Sequence, residues 1–118
     1  MEYCQQGELF DRINRYGPML EKDAASVFHQ ILSALLYLKQ QKISHRDIKP
    51  ENIMFHRNEK IKIIDFGFSV SIKDDPFRKT TCGTPSYVAP EILKHQSYDP
   101  ELVDVWCLGV TLYAMLAA

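Results

Sequence analysis

The sequence has few cysteines, and their arrangement excludes two common uses. Cys4, Cys82 and Cys107 are three in number and lack the short spacing of metal-binding cysteines. Neither a disulfide framework nor a zinc site is therefore expected. A reduced intracellular setting is the simplest interpretation, and we expect a cytoplasmic protein, with the nucleus as a possible second location.

The sequence also lacks an excess of charge of either sign and an apolar segment near its start. The formal net charge is -1, so no basic face for nucleic-acid binding is expected. Polar residues follow Met1, which argues against a signal peptide. The apolar run Leu102–Ala118 is charged only at Asp104. We predict that this run is a buried helix and not a membrane span.

The chain is long enough for one ordinary domain with a core, since it has 118 residues and 46% apolar residues. Apolar spacing predicts helices over Gly7–Tyr16 and Glu21–Gln41, together with the final apolar helix. Two short apolar runs, Ile53–Phe55 and Ile61–Ile64, flank a polar turn and predict a hairpin. The sequence therefore indicates a helix-rich fold with one small hairpin.

Two finer expectations concern the faces of the helices and a loop. The second helix carries one apolar stripe at spacings of three and four residues: Ala25, Phe28, Ile31, Leu32, Leu35 and Leu38. Asp65–Gly83 has few apolar residues, which predicts a long mobile loop.

Polar residues gather at both ends of the predicted hairpin. The segment HRDIKPEN, His45–Asn52, precedes its first strand, and Asp65 follows its second. Antiparallel strands place these ends side by side. Asp47, Lys49, Asn52 and Asp65 should therefore meet in one place.

These residue types suit phosphoryl transfer. Two carboxylates and a carboxamide form an oxygen-rich site for Mg²⁺, whose remaining ligands are usually waters and phosphate oxygens. Lys49 can neutralise charge on a transferring phosphoryl group. A carboxylate that does not bind the metal can accept the proton of an attacking hydroxyl.

Three motifs in order carry a resemblance to a known family. His45-Arg46-Asp47 is followed by Asn52, Asp65-Phe66-Gly67 comes next, and Ala89-Pro90-Glu91 closes the segment. The sequence resembles eukaryotic serine/threonine protein kinases. Its local residue patterns are similar to those of the calcium/calmodulin-dependent and AMP-activated branches. The resemblance covers residues 1–118, from the hinge to the central helix. It implies an α+β fold, with this chain as a partial kinase domain: the mainly helical C-terminal lobe without an N-lobe.

The resemblance implies an enzyme that transfers the γ-phosphate of ATP to Ser or Thr hydroxyls of protein substrates. Asp47 would orient and deprotonate the substrate hydroxyl, and Lys49 would contact the phosphoryl group. Asn52 and Asp65 would hold Mg²⁺.

The resemblance also implies contacts to the nucleotide. Glu2 and Cys4 would offer backbone groups to adenine, and Met54 would lie under the ring. Glu8 would reach the ribose or a basic substrate residue. Glu51 either contacts the substrate or is merely solvated.

Control by phosphorylation is implied at one position. Thr80 matches the activation-loop phosphosite, with Arg46 as the partner of its phosphate and an upstream activating kinase as a possible partner. The alternative is that Thr80 is an ordinary loop residue. The resemblance further implies that His45 packs under Phe66 and that Asp104 anchors the backbone of the catalytic loop.

Several parts of a complete kinase do not appear in this sequence. No glycine-rich phosphate loop is present, and the ATP-contacting lysine of an N-lobe is missing. We therefore expect a fragment that is inactive alone. One face of the last helix should stay uncovered: Leu108, Leu112, Met115 and Leu116. A non-catalytic kinase-like binding module remains as an alternative, and a small metal-dependent phosphohydrolase is a third reading. The oligomeric state stays open.

Overall fold

The described part of the chain contains three α-helices, two 3-10 helices (Pro50–Asn52 and Arg57–Glu59) and two small antiparallel sheets. The computed structural model describes residues 7–66, 69–71, 89–90 and 99–117. The helices are α1 (Leu9–Tyr16), α2 (Glu21–Gln40) and α3 (Pro100–Ala117). The strands are β1 (Ile43–Ser44), β2 (Ile53–Phe55), β3 (Ile61–Ile63) and β4 (Val70–Ser71).

Helix α2 faces the core with a stripe that is rotated from the predicted one. Ala24, Val27 and Ile31 are its buried residues, at the spacing of three and four that an amphipathic helix requires. Ala25 is exposed and Leu32 is 37% exposed, so their predicted burial is wrong. Apolar residues flank Ile31 on both sides of this helix, and packing against α3 and the hairpin selects one side.

The predicted hairpin is confirmed. Ile53 pairs with Ile63 and Phe55 pairs with Ile61. Ile53 and Phe55 are fully buried, so one face of the hairpin joins the core. Asn58 in the turn has a φ of 56°, a left-handed conformation that asparagine tolerates better than most residues. The register places the residues before β2 beside those after β3.

A second strand pair was not predicted. Ile43 pairs with Ser71, and Ser44 pairs with Val70. Strand β4 therefore lies within the segment that the sequence suggested was a loop, most of which falls outside the described residues. A strand of two residues is too short to show an alternation of apolar and polar side chains, so only its pairing with another strand identifies it.

Helix α3 closes the core against α2. Val103, Cys107, Leu108 and Met115 are buried in it. The backbone N–H of Met19 also donates a 2.7 Å hydrogen bond to the Met115 carbonyl. The final apolar run is therefore a core helix, as predicted. Within the described ranges, no helix is long and apolar enough to cross a membrane.

The uncovered face of α3 differs from the expected one. Leu108 and Met115 are buried and Leu112 is partly buried against the core, so the expectation that these three stay uncovered is wrong. Leu116, the fourth residue of that face, is 40% exposed as expected. Leu102, Val105 and Tyr113 are instead 61%, 63% and 74% exposed. The error arose because α3 is apolar all round, and its sequence does not indicate which side meets α2.

Two side chains fasten the hairpin turn to the helices. Gln30 of α2 donates through Nε2 to the Glu59 carbonyl at 3.0 Å, and its Oε1 accepts the Ile61 N–H at 2.9 Å. Arg12 of α1 pairs with the Glu59 carboxylate at 2.7 Å. The Arg12 guanidinium also lies 3.6 Å from the centre of the Phe55 ring. The turn is therefore held from both helices.

Replacing Gln30 with methionine should lower the free energy of unfolding of the chain by about 1–2 kcal/mol. The volume is retained, but a backbone donor and a backbone acceptor lose their side-chain partner. Urea denaturation measures the change. Gln40→Met is the matched control, because Gln40 is an exposed glutamine of the same helix. Equal stabilities of the two variants would contradict the role of Gln30.

Candidate active site

The loop before β2 is anchored to α3 by one buried carboxylate. Oδ1 of Asp104 accepts the Arg46 N–H at 2.8 Å. Its Oδ2 accepts the His45 N–H at 3.0 Å and the Ser44 hydroxyl at 2.9 Å. Asp104 is only 6% exposed, and a buried carboxylate is tolerated when hydrogen bonds satisfy it. Asp104 therefore anchors the loop backbone, as the resemblance implied.

The anchor holds the loop in a costly backbone conformation. Arg46 has a φ of 68°, which is left-handed and unfavourable for a residue with a side chain. The bond from its N–H to Asp104 offsets part of this cost. Burial raises the pKa of Asp104, while the hydrogen bonds from the Arg46 and His45 amides and from Ser44 oppose that rise.

His45 connects the loop to the end of the hairpin. Its Nδ1 accepts the Asp47 N–H at 3.1 Å. Nε2 lies 2.9 Å from the Ile64 carbonyl. Because Nδ1 is an acceptor, the hydrogen of the neutral ring is on Nε2, which donates to Ile64. The ring meets Phe66 edge to face at 4.7 Å, so the predicted packing of His45 on Phe66 is confirmed.

Three of the predicted site residues meet directly. Asn52 Nδ2 donates to the Asp47 carbonyl at 2.8 Å and to its Oδ2 at 3.2 Å. Lys49 Nζ lies 3.7 Å from the same Oδ2. Asp47 and Asn52 are 4% and 5% exposed, so both side chains are largely shielded from water. Both Asn52 bonds use its nitrogen, so the amide oxygen remains the atom suited to a hard cation.

Asp65 lies across the hairpin from this cluster. The residue before it, Ile64, donates its N–H to the Asn52 carbonyl at 2.9 Å. Asp65 itself is exposed and has a φ of 59°, a strained conformation of the kind that occurs at functional sites. The backbone therefore brings the end of β3 to the start of β2, as the hairpin predicted.

The donor set fits Mg²⁺ that is shared with phosphate. Over the described ranges, no three His, Cys, Asp or Glu side chains converge on a common point. A closed protein site for a metal is therefore not formed by those residues. Asn52 and Asp65 offer one amide oxygen and one carboxylate, and Mg²⁺ commonly takes one or two protein ligands and completes its shell with phosphate oxygens.

Acidic side chains flank this site on the α1 side. Glu8 forms an antiparallel bridge with Met54, so these two predicted residues are neighbours. Burial, Asp11 and Glu51 raise the pKa of Glu8. Glu51 Oε1 is buried with no hydrogen-bond partner among the described residues. Such an oxygen suits a ligand that brings a donor or a positive charge.

Some predicted residues lie outside the described ranges. Glu2 and Cys4, assigned to adenine, precede residue 7, and Thr80, the predicted phosphosite, falls between residues 71 and 89. The suggested phosphate partner, Arg46, is described and is 7% exposed.

The sequence did not indicate one polar contact in the site. Ser44 is fully buried, and its partner Asp104 lies far along the chain. A serine between Ile43 and His45 has no spacing that would link it to α3. Only the unusual position of Asp104, a lone acid in an apolar helix, suggested that a buried acceptor needed donors nearby.

Comparisons with known proteins agree with the geometry. A family model described as protein kinase domain matches residues 1–118. CBL-interacting protein kinase 32 of Oryza sativa subsp. japonica is 45% identical over 120 residues, which cover 99% of this chain and 27% of that protein. SNF1-related protein kinase catalytic subunit alpha KIN12 of Arabidopsis thaliana is 47% identical over 116 residues, which cover 98% of this chain and 23% of that protein. The chain thus spans about a quarter of the length of these relatives.

Proposed function

The chain belongs to the serine/threonine protein kinase family, and we propose that it supplies the catalytic loop and metal-binding loop of such an enzyme. The reaction is transfer of the ATP γ-phosphate to a Ser or Thr hydroxyl of a protein. The observation that carries the proposal is the contact of the buried Asp47 with the buried Asn52 and the partly buried Lys49. Asp65 lies across the hairpin from them. In this assignment the chain is the mainly helical C-terminal lobe.

Each member of the cluster has a role that its surroundings support. Asp47 receives the proton of the attacking hydroxyl, and Asn52 holds the Asp47 carboxylate in place through Nδ2. Lys49, close to Asp47 Oδ2, stabilises negative charge on the transferring group. Mg²⁺, when bound with ATP, neutralises the phosphate oxygens, and Asn52 and Asp65 are the residues that would hold it.

The flanking residues bind nucleotide and substrate in this proposal. Met54 lies under adenine, and Glu8 and Glu51 accept hydrogen bonds from the ribose or from a basic substrate residue. The partner-free Glu51 Oε1 supports this assignment. Glu2 and Cys4 contact adenine through their backbone. Arg46 receives the phosphate of phosphorylated Thr80.

The test is to supply the rest of a kinase. Residues 1–118 replace the matching segment of rice CBL-interacting protein kinase 32, which is 45% identical there. We call this protein the hybrid kinase. It should phosphorylate a serine peptide that the parent kinase phosphorylates, with Mg²⁺ and radiolabelled ATP. The parent is the positive control, and the parent without the segment is the negative control. A folded hybrid with no more activity than the negative control would contradict the proposal.

A second candidate, a non-catalytic binding module, is favoured by the exposed apolar residues of α3. Leu102, Val105 and Tyr113 are more than half exposed, and exposed apolar clusters often mark partner surfaces. Activity of the hybrid kinase would favour the enzyme. An inactive hybrid, together with a stable monodisperse 118-residue chain, would favour the module.

A further inference from the structure

One hydroxyl group in the site has a place that none of the assigned roles uses. Ser44 is fully buried, and its Oγ donates to Asp104 Oδ2 at 2.9 Å. It precedes His45 and Arg46, whose amides bond to the same carboxylate. Three consecutive residues thus donate to one side chain, two through the backbone and one through a hydroxyl.

The position of this hydroxyl matters because the two Asp104 oxygens have separate tasks. Oδ1 receives Arg46, while Oδ2 receives His45. Rotation of the carboxylate about its last torsion would weaken both bonds, and that torsion is soft in aspartate. The Ser44 bond to Oδ2 opposes the rotation, since the serine is itself fixed in β1 by its pairing with Val70.

The effect of Ser44 reaches the catalytic carboxylate through a short chain of bonds. Asp104 holds Arg46 in its left-handed conformation. The next residue, Asp47, donates its N–H to His45 Nδ1. A loosened Asp104 therefore releases both residues that precede Asp47, and small displacements of a catalytic group reduce rates strongly.

We propose that Ser44 is a positioning residue of the catalytic loop: its hydroxyl fixes the Asp104 carboxylate in the orientation that receives the His45 and Arg46 amides, and thereby holds Asp47 in place. The catalytic part of this inference rests on the proposed kinase function. The structural part does not, so the two are measured separately.

The first measurement is amide hydrogen exchange by NMR on the 118-residue chain. Ser44→Ala should speed exchange of the His45 and Arg46 amides about fivefold to tenfold, because the carboxylate that they share is no longer fixed. The Phe55 amide belongs to the hairpin and donates to the Gly7 carbonyl, and its exchange rate should not change. Ser44→Thr, which keeps a hydroxyl, should restore slow exchange. Unchanged exchange at both amides, or an equal increase at all three, would overturn the proposal.

The second measurement is steady-state kinetics of the hybrid kinase. Ser44→Ala should lower kcat about threefold to tenfold with little change in KM for ATP, and Ser44→Thr should recover most of the loss. Ser33→Ala is the matched control, because Ser33 is an exposed serine of α2. A lower melting temperature with an unchanged kcat would show a merely structural serine and overturn the positioning role.

Two further features keep the test decisive. If the alanine variant does not fold, Ser44→Cys replaces it, since cysteine keeps the volume and donates only weakly; the same changes in exchange and kcat are then required. If the unsubstituted hybrid is inactive while its exchange pattern responds to Ser44→Ala, the kinase proposal fails and the anchoring of the loop stands. If the hybrid is active and Ser44→Ala changes neither readout, the Ser44 proposal alone fails.

Discussion

Asp47→Asn should reduce phosphoryl transfer by the hybrid kinase by roughly 100-fold to 10,000-fold, the range that a general base contributes. Asparagine keeps the size of the side chain but cannot accept the proton of the substrate hydroxyl. It also removes the negative charge that Lys49 Nζ faces at 3.7 Å. Since Asp47 is 4% exposed, water does not readily take over its role.

The fold should survive this substitution. The amide oxygen of the new side chain can still accept from Asn52 Nδ2, and the Asp47 N–H to His45 is unchanged. KM for ATP should therefore stay within about threefold of the unsubstituted hybrid, with kcat carrying the loss. Asp23→Asn is the control, because Asp23 is exposed on α2. More than a tenth of the activity remaining in Asp47→Asn would exclude Asp47 as the base.

Asp104→Asn should lower the free energy of unfolding of the chain by about 2–3 kcal/mol and the activity of the hybrid kinase by at least about tenfold. Three donors converge on the two oxygens of Asp104. An asparagine has one acceptor oxygen, and its NH₂ group then faces a donor in a buried place. Asp99→Asn is the control, because Asp99 precedes the first residue of α3 and is partly exposed.

The stability difference between the chain and its Asp104→Asn variant should depend on pH in a defined direction. Burial raises the pKa of Asp104 above its usual value of 3.8, so the folded state binds this proton more tightly than the unfolded state. The group therefore stabilises the fold fully below 3.8 and loses this contribution as the pH rises through the raised pKa.

Urea unfolding of both proteins between about pH 4 and pH 7 measures this change, because the other carboxylates cancel in the difference. The advantage of Asp104 over asparagine should shrink as the pH increases. A difference that grows over this range would mean that the pKa of Asp104 is lowered by its three donors and not raised by burial.

The sequence predicted the parts of the fold that have strong local patterns. The hairpin was predictable from Ile53–Phe55 and Ile61–Ile64, because short apolar runs on both sides of a polar turn have few alternatives. The register of the strand pair follows from these runs. It places Asn52 next to the residue that precedes Asp65. For this reason the centre of the site was predictable without knowing how the helices pack.

The faces of the helices were harder to predict. Ala24 and Val27 are buried while Ala25 is exposed, yet all three are apolar. In α3, Leu108 is buried and Val105 is 63% exposed, although both side chains are equally suited to a core. Hydrophobicity alone does not distinguish the buried from the exposed residues of such a helix. The helix or strand that packs against it determines which side is buried.

Contacts between distant residues were predicted only where one partner was conspicuous. Asp104 drew attention as a lone acid in an apolar helix, whereas Ser44 had nothing to distinguish it. The pairing of β1 with β4 was likewise missed, since each strand has two residues. These contacts depend on the tertiary structure and leave no periodic trace in the sequence.

Metal binding tests most directly the claim that the two loops at the ends of the hairpin form one phosphate site. The free Mn²⁺ signal in electron paramagnetic resonance, with Mn²⁺ in place of Mg²⁺, reports the affinity of the hybrid kinase for the metal in the presence of ATP. Asn52→Ala and Asp65→Ala should each weaken this affinity about tenfold or more, and Asp23→Ala should leave it unchanged. Equal affinities in all of these variants would show that Asn52 and Asp65 do not hold the metal together, and the proposed site would be wrong.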